Sequence, residues 1–160
     1  MANTTPTTNS LENYFLPFTA NKDFKKEPRL LDRGEGVYYW NHKGDQVIDA
    51  SSGLFCVPLG HGRKEIAEAV HQQLLKLDYS PSFQVSHLPA FSLAEKVAKL
   101  LPGDLNNVFF TICGSTAIDS AIKIIQAYQH AIGQSQRVRF VSRERAYHGV
   151  NIGGTSLSGM

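Results

Sequence analysis

Hydrophobic positions recur at helical spacing in three stretches of the chain, and between them they collect into short unbroken runs. From residue 63 to 77, Ile66, Ala69, Val70, Leu74 and Leu77 fall on one face, which predicts an amphipathic helix. Ala90, Leu93, Ala94, Val97, Ala98 and Leu101 repeat the period. Pro89 stands near the first position of this second helix, where a missing N–H costs little, and Pro102-Gly103-Asp104 ends it. Ala117, Ala121, Ile124, Ile125, Tyr128 and Ile132 predict a third helix, stopped by Gly133. Ile118 and Ile122 widen its stripe, so burial on more than one side is expected, and Asp119 with Lys123 would form an i,i+4 pair on the remaining polar face.

The runs read differently. Residues 37–40 (VYYW) and 46–49 (QVID) flank Asn41-His42-Lys43-Gly44-Asp45, a loop with glycine where a positive φ is required, and predict a β-hairpin. A lone hairpin is marginal, so a further strand or a helix must lie against it. Residues 108–112 (VFFTI) and 138–141 (VRFV) read as buried strands on either side of the third helix. Strand alternating with helix implies a parallel sheet with right-handed crossovers, hence an α/β fold. Two strands are too few to complete such a sheet, and residues 151–160 (NIGGTSLSGM) offer no recognisable closing element, so the pattern is expected to stop before the fold is finished. Near the start, residues 1–10 have no hydrophobic period and are expected to be a disordered lead-in. Tyr14, Phe15 and Phe18 around Pro17 predict an irregular segment laid over something larger.

Composition narrows the classes. The 160 residues are 42% hydrophobic and 19% charged, as in a globular chain with a core. A net charge of +2, with no basic cluster longer than Lys25-Lys26, argues against nucleic acid or an anionic membrane as partner. Cys56 and Cys113 are the only cysteines and are far apart, so no disulfide framework or zinc site is indicated. No run approaches a membrane span and the first residues lack a secretory pattern, so a cytoplasmic protein is expected.

The candidate chemistry begins at Gly114-Ser115-Thr116, which lie between an expected strand and a helix N-terminus. The first amides of a helix have no internal partner and the macrodipole is positive there, so small hydroxyl residues at that point suit an anion. The same residues could instead be an N-cap (Ser115) and a tight turn (Gly114). Tyr147-His148-Gly149 follow the second expected strand. Ligands in open α/β sheets sit beyond the carboxyl ends of strands, so an aromatic beside an anion cradle suits a flat phosphorylated cofactor, with ordinary loop packing as the alternative. Residues 50–62 (ASSGLFCVPLGHG) are a glycine-rich loop whose Leu54, Phe55 and Cys56 either plug into a core or line a pocket. The six histidines include no i,i+3 or i,i+4 pair for a metal, and no P-loop, dinucleotide fingerprint or nucleophile elbow occurs.

These residues, together with Phe18-Thr19-Ala20-Asn21, Gly36 to Trp40, Gly60-His61-Gly62-Arg63, Pro102 to Leu105, Val108 to Thr111, Arg143-Glu144-Arg145 and Tyr147-His148-Gly149, resemble the N-terminal part of the class III pyridoxal-phosphate-dependent aminotransferases, most closely the ω-amino acid:pyruvate (β-alanine:pyruvate) branch. The resemblance covers nearly the whole chain. It implies an incomplete type I, aspartate-aminotransferase-like fold: residues 11–62 from the small domain with its hairpin, and 63–160 from the opening part of the large cofactor domain. It implies pyridoxal 5'-phosphate as cofactor, its phosphate held by Gly114, Ser115 and Thr116 and its ring stacked on Tyr147, with His148 and Gly149 completing the motif. Leu54 and Phe55 would line the substrate pocket, Phe83 would enter the neighbouring subunit's site, and the enzyme would be a homodimer passing an amino group from a β-alanine-like donor to pyruvate.

The sequence also departs from the family pattern. Cys113-Gly114-Ser115-Thr116-Ala117 stands where the family usually has Ser-Gly-Ser-Glu-Ala, and Phe55 stands where a Trp is common. The Schiff-base lysine and the pyridinium-pairing aspartate lie in later parts of the family's fold. Lys64, Lys76, Lys96, Lys99 and Lys123 belong to polar helix faces, so no catalytic residue is assigned and the 160-residue chain alone is expected to be inactive. The alternatives are another class III transaminase, acting on acetylornithine, 4-aminobutyrate or a diamine, and a non-catalytic phosphate-binding or dimerising fragment.

Overall fold

A computed structural model describes residues 11–159; the expected lead-in, 1–10, lies outside them. The chain divides into two compact units, the first running to Ser82 and the second starting at Phe83.

The first unit is built on a three-stranded antiparallel sheet, β1 (Leu31–Glu35), β2 (Tyr38–Asn41) and β3 (Gln46–Ile48), in chain order. The expected hairpin is β2–β3, with Tyr39 opposite Val47 and Trp40 opposite Gln46. Its turn is closed by Asn41, whose Oδ1 accepts the Lys43 and Asp45 amides at 2.9 Å each, and Gly44 takes φ +92°. The neighbour that the hairpin requires is β1, in which Glu35 pairs with Tyr38 and Gly34 with Tyr39. Arg33 lies 3.6 Å from the centre of the Trp40 ring, so the edge strand holds its partner by side-chain stacking as well as by the ladder. A short helix, α1 (Asn21–Lys26), precedes the sheet, and Asn21 fastens it to the segment before it by exchanging hydrogen bonds with both backbone groups of Leu16.

After β3 comes α2 (Ser52–Phe55), one helical turn wound left-handed: φ is 51° at Ser52, 58° at Gly53, 58° at Leu54 and 68° at Phe55. A left-handed turn costs an L-residue about 1–2 kcal/mol per position, because Cβ crowds the following carbonyl. Three of its four residues are not glycine, so surrounding structure must hold the turn in place. The first long helix, α3 (Lys64–Lys76), follows the predicted span closely.

The second unit contains α4 (Leu88–Ala98), with proline in its first turn as expected, α5 (Gly114–Ala131) and α6 (Ile152–Leu157). Gly133 ends α5 at φ +76°, donating its N–H to the His130 carbonyl. Residues 108–112 and 138–141 join no ladder among the described residues. A β-forming run becomes a strand only when a neighbour supplies hydrogen bonds, and neither run has one. The second unit also contains a helix that its sequence did not announce: α6 carries Gly153 and Gly154, which lower intrinsic helicity by nearly 1 kcal/mol each.

Two expectations about burial are corrected. No hydrophobic side chain is buried among the described residues, and the broad stripe of α5 is open, with Ile124, Ile125, Tyr128 and Ile132 all exposed. Around Pro17, where aromatics laid over something larger were expected, Tyr14, Phe15 and Phe18 are exposed too. The periodicity had marked faces that pack on sheet layers, and the described residues supply no such layer to meet them.

Candidate functional site

In the second unit the site grows from the N-terminus of α5. Cys113 is its N-cap, with extended backbone, and the Ala117 amide makes the first intrahelical bond, to the Cys113 carbonyl at 3.0 Å. The amides of Gly114, Ser115 and Thr116 therefore precede the helical ladder, and none of them donates to a backbone carbonyl among the described residues. Ser115 is not the cap: it lies inside the helix, buried, and its Oγ accepts the Val150 N–H at 3.0 Å. That bond uses acceptor capacity only, so the hydroxyl proton stays available to an incoming acceptor.

The two segments expected to converge do meet. Gly149, at φ +111°, passes so close to α5 that a Cβ there would stand 2.7 Å from the Ser115 Cα. Only a residue without a side chain permits this approach. Behind it α6 is held from three sides. Asp119 Oδ1 accepts the Gly154 N–H at 2.9 Å, Ser158 Oγ accepts the His148 N–H at 3.0 Å and donates to the Gly154 carbonyl at 2.8 Å, and Gly154 packs against the His148 carbonyl. This replaces the expected Asp119–Lys123 pair: a carboxylate bonded to a backbone amide in a half-buried position outweighs a solvated i,i+4 contact. Tyr147, two residues before Gly149, leaves its ring exposed.

Cys113 adds a chemical feature. Its Sγ lies 3.4 Å from Thr116 Oγ1, and hydrogen bonding from that hydroxyl and from the Thr116 amide holds the thiol below its ordinary range. A depressed thiol becomes thiolate, and nucleophilic, at lower pH. Carbamidomethylation of Cys113 by iodoacetamide, followed by peptide mass spectrometry, is expected to have a pH midpoint below the roughly 8.5 of a free cysteine, and Thr116→Val is expected to move it upward.

In the first unit, Leu54 and Phe55 are 72% and 85% exposed on α2, so the core reading of that loop is set aside. Beside the turn lies an apolar concavity of about 540 Å³, walled by Cys56, Val57, Leu59, His61, Ile66 and Ala67. The loop's return is stitched to the sheet by reciprocal bonds between Gly36 and His61, at 3.1 and 2.8 Å. Sequence reasoning missed the pair at its heart. His61 Nε2 donates to Asp49 Oδ2 at 2.7 Å, and the two side chains are only 12% and 5% exposed. The same carboxylate accepts the Gly53 amide at 2.7 Å, and the Ser51 amide and hydroxyl at 3.1 and 3.2 Å. The His61 bond is the main cause that holds the Asp49 carboxyl below the ordinary carboxylate range, and burial followed by the Asp49 charge pushes the Tyr39 hydroxyl up. Phe83 belongs to the second unit and is exposed. Lys64, Lys76, Lys96, Lys99 and Lys123 are all exposed, as expected of solvated helix faces. The described residues contain no cluster that could hold a metal ion and no helix long and apolar enough to cross a membrane.

A helix N-terminus whose first amides make no backbone bond, faced by a glycine-tightened loop in an α/β setting, suits an anion, and comparison with known proteins gives the family. The Aminotransferase class-III profile matches residues 19–160, and the chain belongs to that family. It is 50% identical over 151 residues to the β-alanine–pyruvate aminotransferase of Pseudomonas aeruginosa, covering 94% of this chain and 34% of that protein. It is 48% identical over 150 residues to the ω-amino acid–pyruvate aminotransferase of Pseudomonas putida, covering 94% of this chain and 33% of that one. Among solved structures, an (S)-enantioselective ω-transaminase from Thermomicrobium roseum superposes with a TM-score of 0.91 at 36% identity, over 95% of this chain and 34% of that one. The ω-transaminase of Pseudomonas jessenii in complex with PMP gives 0.90 at 31% identity, over 95% and 34%. The fold is thus the α/β fold of the ω-transaminases over this stretch, and the chain spans about a third of the length of the relatives it matches.

Proposed function

We infer that this chain forms the N-terminal part of a pyridoxal 5'-phosphate-dependent transaminase that moves the amino group of a β-alanine-like ω-amino acid or amine to pyruvate, giving alanine. The observation that carries the reading is the junction of α5 with Gly149 and Val150, in a chain half identical to a β-alanine–pyruvate aminotransferase. The residues fit the cofactor's phosphate: three amides precede the helical ladder, two hydroxyls stand beside them, and the macrodipole favours a dianion there. Gly114, Ser115 and Thr116 hold the phosphate, the exposed ring of Tyr147 stacks on the pyridine, and His148 and Gly149 shape the loop between. When bound, the cofactor supplies an electron sink for the carbon that bears the amine. This chain's own share is to bind and orient: the cradle fixes one end of the cofactor, Tyr147 one face, and Leu54 and Phe55 a wall for the donor's side chain. Phe55 offers an aromatic wall without an indole N–H, so the donor meets no hydrogen-bond donor from that side chain.

In this reading residues 11–62 belong to the small domain and 63–160 open the large one, the enzyme is a cytoplasmic homodimer, and Phe83 enters the neighbouring subunit's site. The covalent lysine is not among those of this chain. The test is the full-length enzyme supplied with pyruvate and, in turn, β-alanine, putrescine, 4-aminobutyrate and N-acetylornithine. Alanine formed fastest from β-alanine is the expected result. Faster turnover of putrescine or N-acetylornithine assigns the chain to another branch, and phosphate binding without alanine from any donor leaves a non-catalytic binding role.

A further inference from the structure

The geometry points to Asp49 and His61 as positioning residues: a half-buried carboxylate–imidazole pair that holds the left-handed turn Ser52–Phe55 and thereby fixes how Leu54 and Phe55 are presented to an amine donor. The inference rests on the reading of Leu54 and Phe55 as pocket wall, and adds what sets the pose of that wall.

Leu54 and Phe55 make no buried contact of their own, so their placement depends on the backbone beneath them. That backbone is left-handed at four successive residues, three of them not glycine, an arrangement that persists only where surrounding structure over-determines it. Its internal bonds are few, chiefly Phe55 N–H to the Ser51 carbonyl at 2.9 Å and Val57 N–H to the Ser52 carbonyl at 2.8 Å. Asp49 supplies the rest. One carboxylate accepts the amide that enters the turn, the amide at its second residue and the His61 ring, and His61 is itself locked to β1 and β2 by the Gly36 bridge and by a Tyr39 ring centroid 4.2 Å away. Gly34 leaves room for that imidazole, since a Cβ there would stand 3.0 Å from the His61 Cβ. Gly53 is equally constrained, with Val57 Cγ2 3.0 Å from the position of a Cβ. The sheet thus reaches the turn through His61 and Asp49, and the turn reaches the donor through two exposed side chains.

The experiment compares Asp49→Asn, His61→Gln, His61→Ala, Phe55→Ala and the double variant D49N/F55A in the full-length enzyme. Amide hydrogen exchange at Gly53, Phe55 and Val57 is read beside the ratio of kcat/KM for β-alanine to that for 1-phenylethylamine. Asp49→Asn is expected to speed exchange at these amides about tenfold, the scale of one lost charge-assisted hydrogen bond, and to shift the donor ratio in the same direction as Phe55→Ala. The double variant is expected to shift the ratio no further than Phe55→Ala alone. His61→Gln, which keeps a donor near Nε2, is expected to lie closer to the parent than His61→Ala. If Phe55→Ala changes the ratio while Asp49→Asn changes neither ratio nor exchange, the positioning role is overturned. If Phe55→Ala leaves the ratio unchanged, the pocket reading fails, and unchanged exchange in Asp49→Asn then overturns the hold on the turn independently.

Discussion

Gly149→Ala is expected to abolish phosphate binding at the α5 N-terminus and to lower the stability of the second unit by about 3 kcal/mol or more. Two causes act together. At φ +111° an L-side chain is strained in any surroundings, and the added methyl would lie 2.7 Å from the Ser115 Cα, a backbone atom that cannot rotate away. The loop must retreat, which breaks the Val150 N–H bond to Ser115 Oγ and carries Tyr147 with it. Equilibrium dialysis against pyridoxal 5'-phosphate and thermal melting of the full-length protein both read this. Retained affinity together with an unchanged melting temperature would show that the loop does not depend on close approach.

Asp119→Ala should be next in size, costing about 2 kcal/mol, because it leaves the N–H of buried Gly154 without an acceptor and removes a charged one. Asp119→Asn keeps a carbonyl oxygen at the same place and should recover most of the loss, whereas Lys123→Ala should be close to neutral. Urea denaturation of the three variants decides among these outcomes. Equal losses for Asp119→Ala and Lys123→Ala would instead favour the i,i+4 pair that the sequence suggests.

Much of the fold was legible wherever local chemistry decides it. The apolar periods gave α3, α4 and α5, Gly44 and Asn41 gave the hairpin, and the Gly-Ser-Thr step gave a helix N-terminus whose first amides precede the ladder. What escaped depends on partners distant in sequence. β1 contains Asp32, Arg33 and Gly34 and reads as polar loop until β2 is beside it. α6 is glycine-rich and forms because Asp119, thirty-five positions earlier, accepts its amide. The left-handed turn has no periodic signature, since its one glycine permits the conformation without requiring it. Asp49 and His61, twelve residues apart, match no metal or catalytic spacing, and only the folded sheet brings them together. Ser115 stands out in the sequence as a candidate anion ligand or N-cap, whereas its burial and its bond to Val150 depend on a partner thirty-five positions away.

The left-handed turn separates two kinds of heritable change. Asp49, Gly53 and His61 are bound to one another by bond lengths and by space, so drift at any of them puts the turn itself at risk. Leu54 and Phe55 face outward from a backbone that others hold, and their side chains can be exchanged with little demand on the fold. A lineage carrying this turn can therefore vary two outward side chains by single substitutions, while the backbone that presents them is inherited intact.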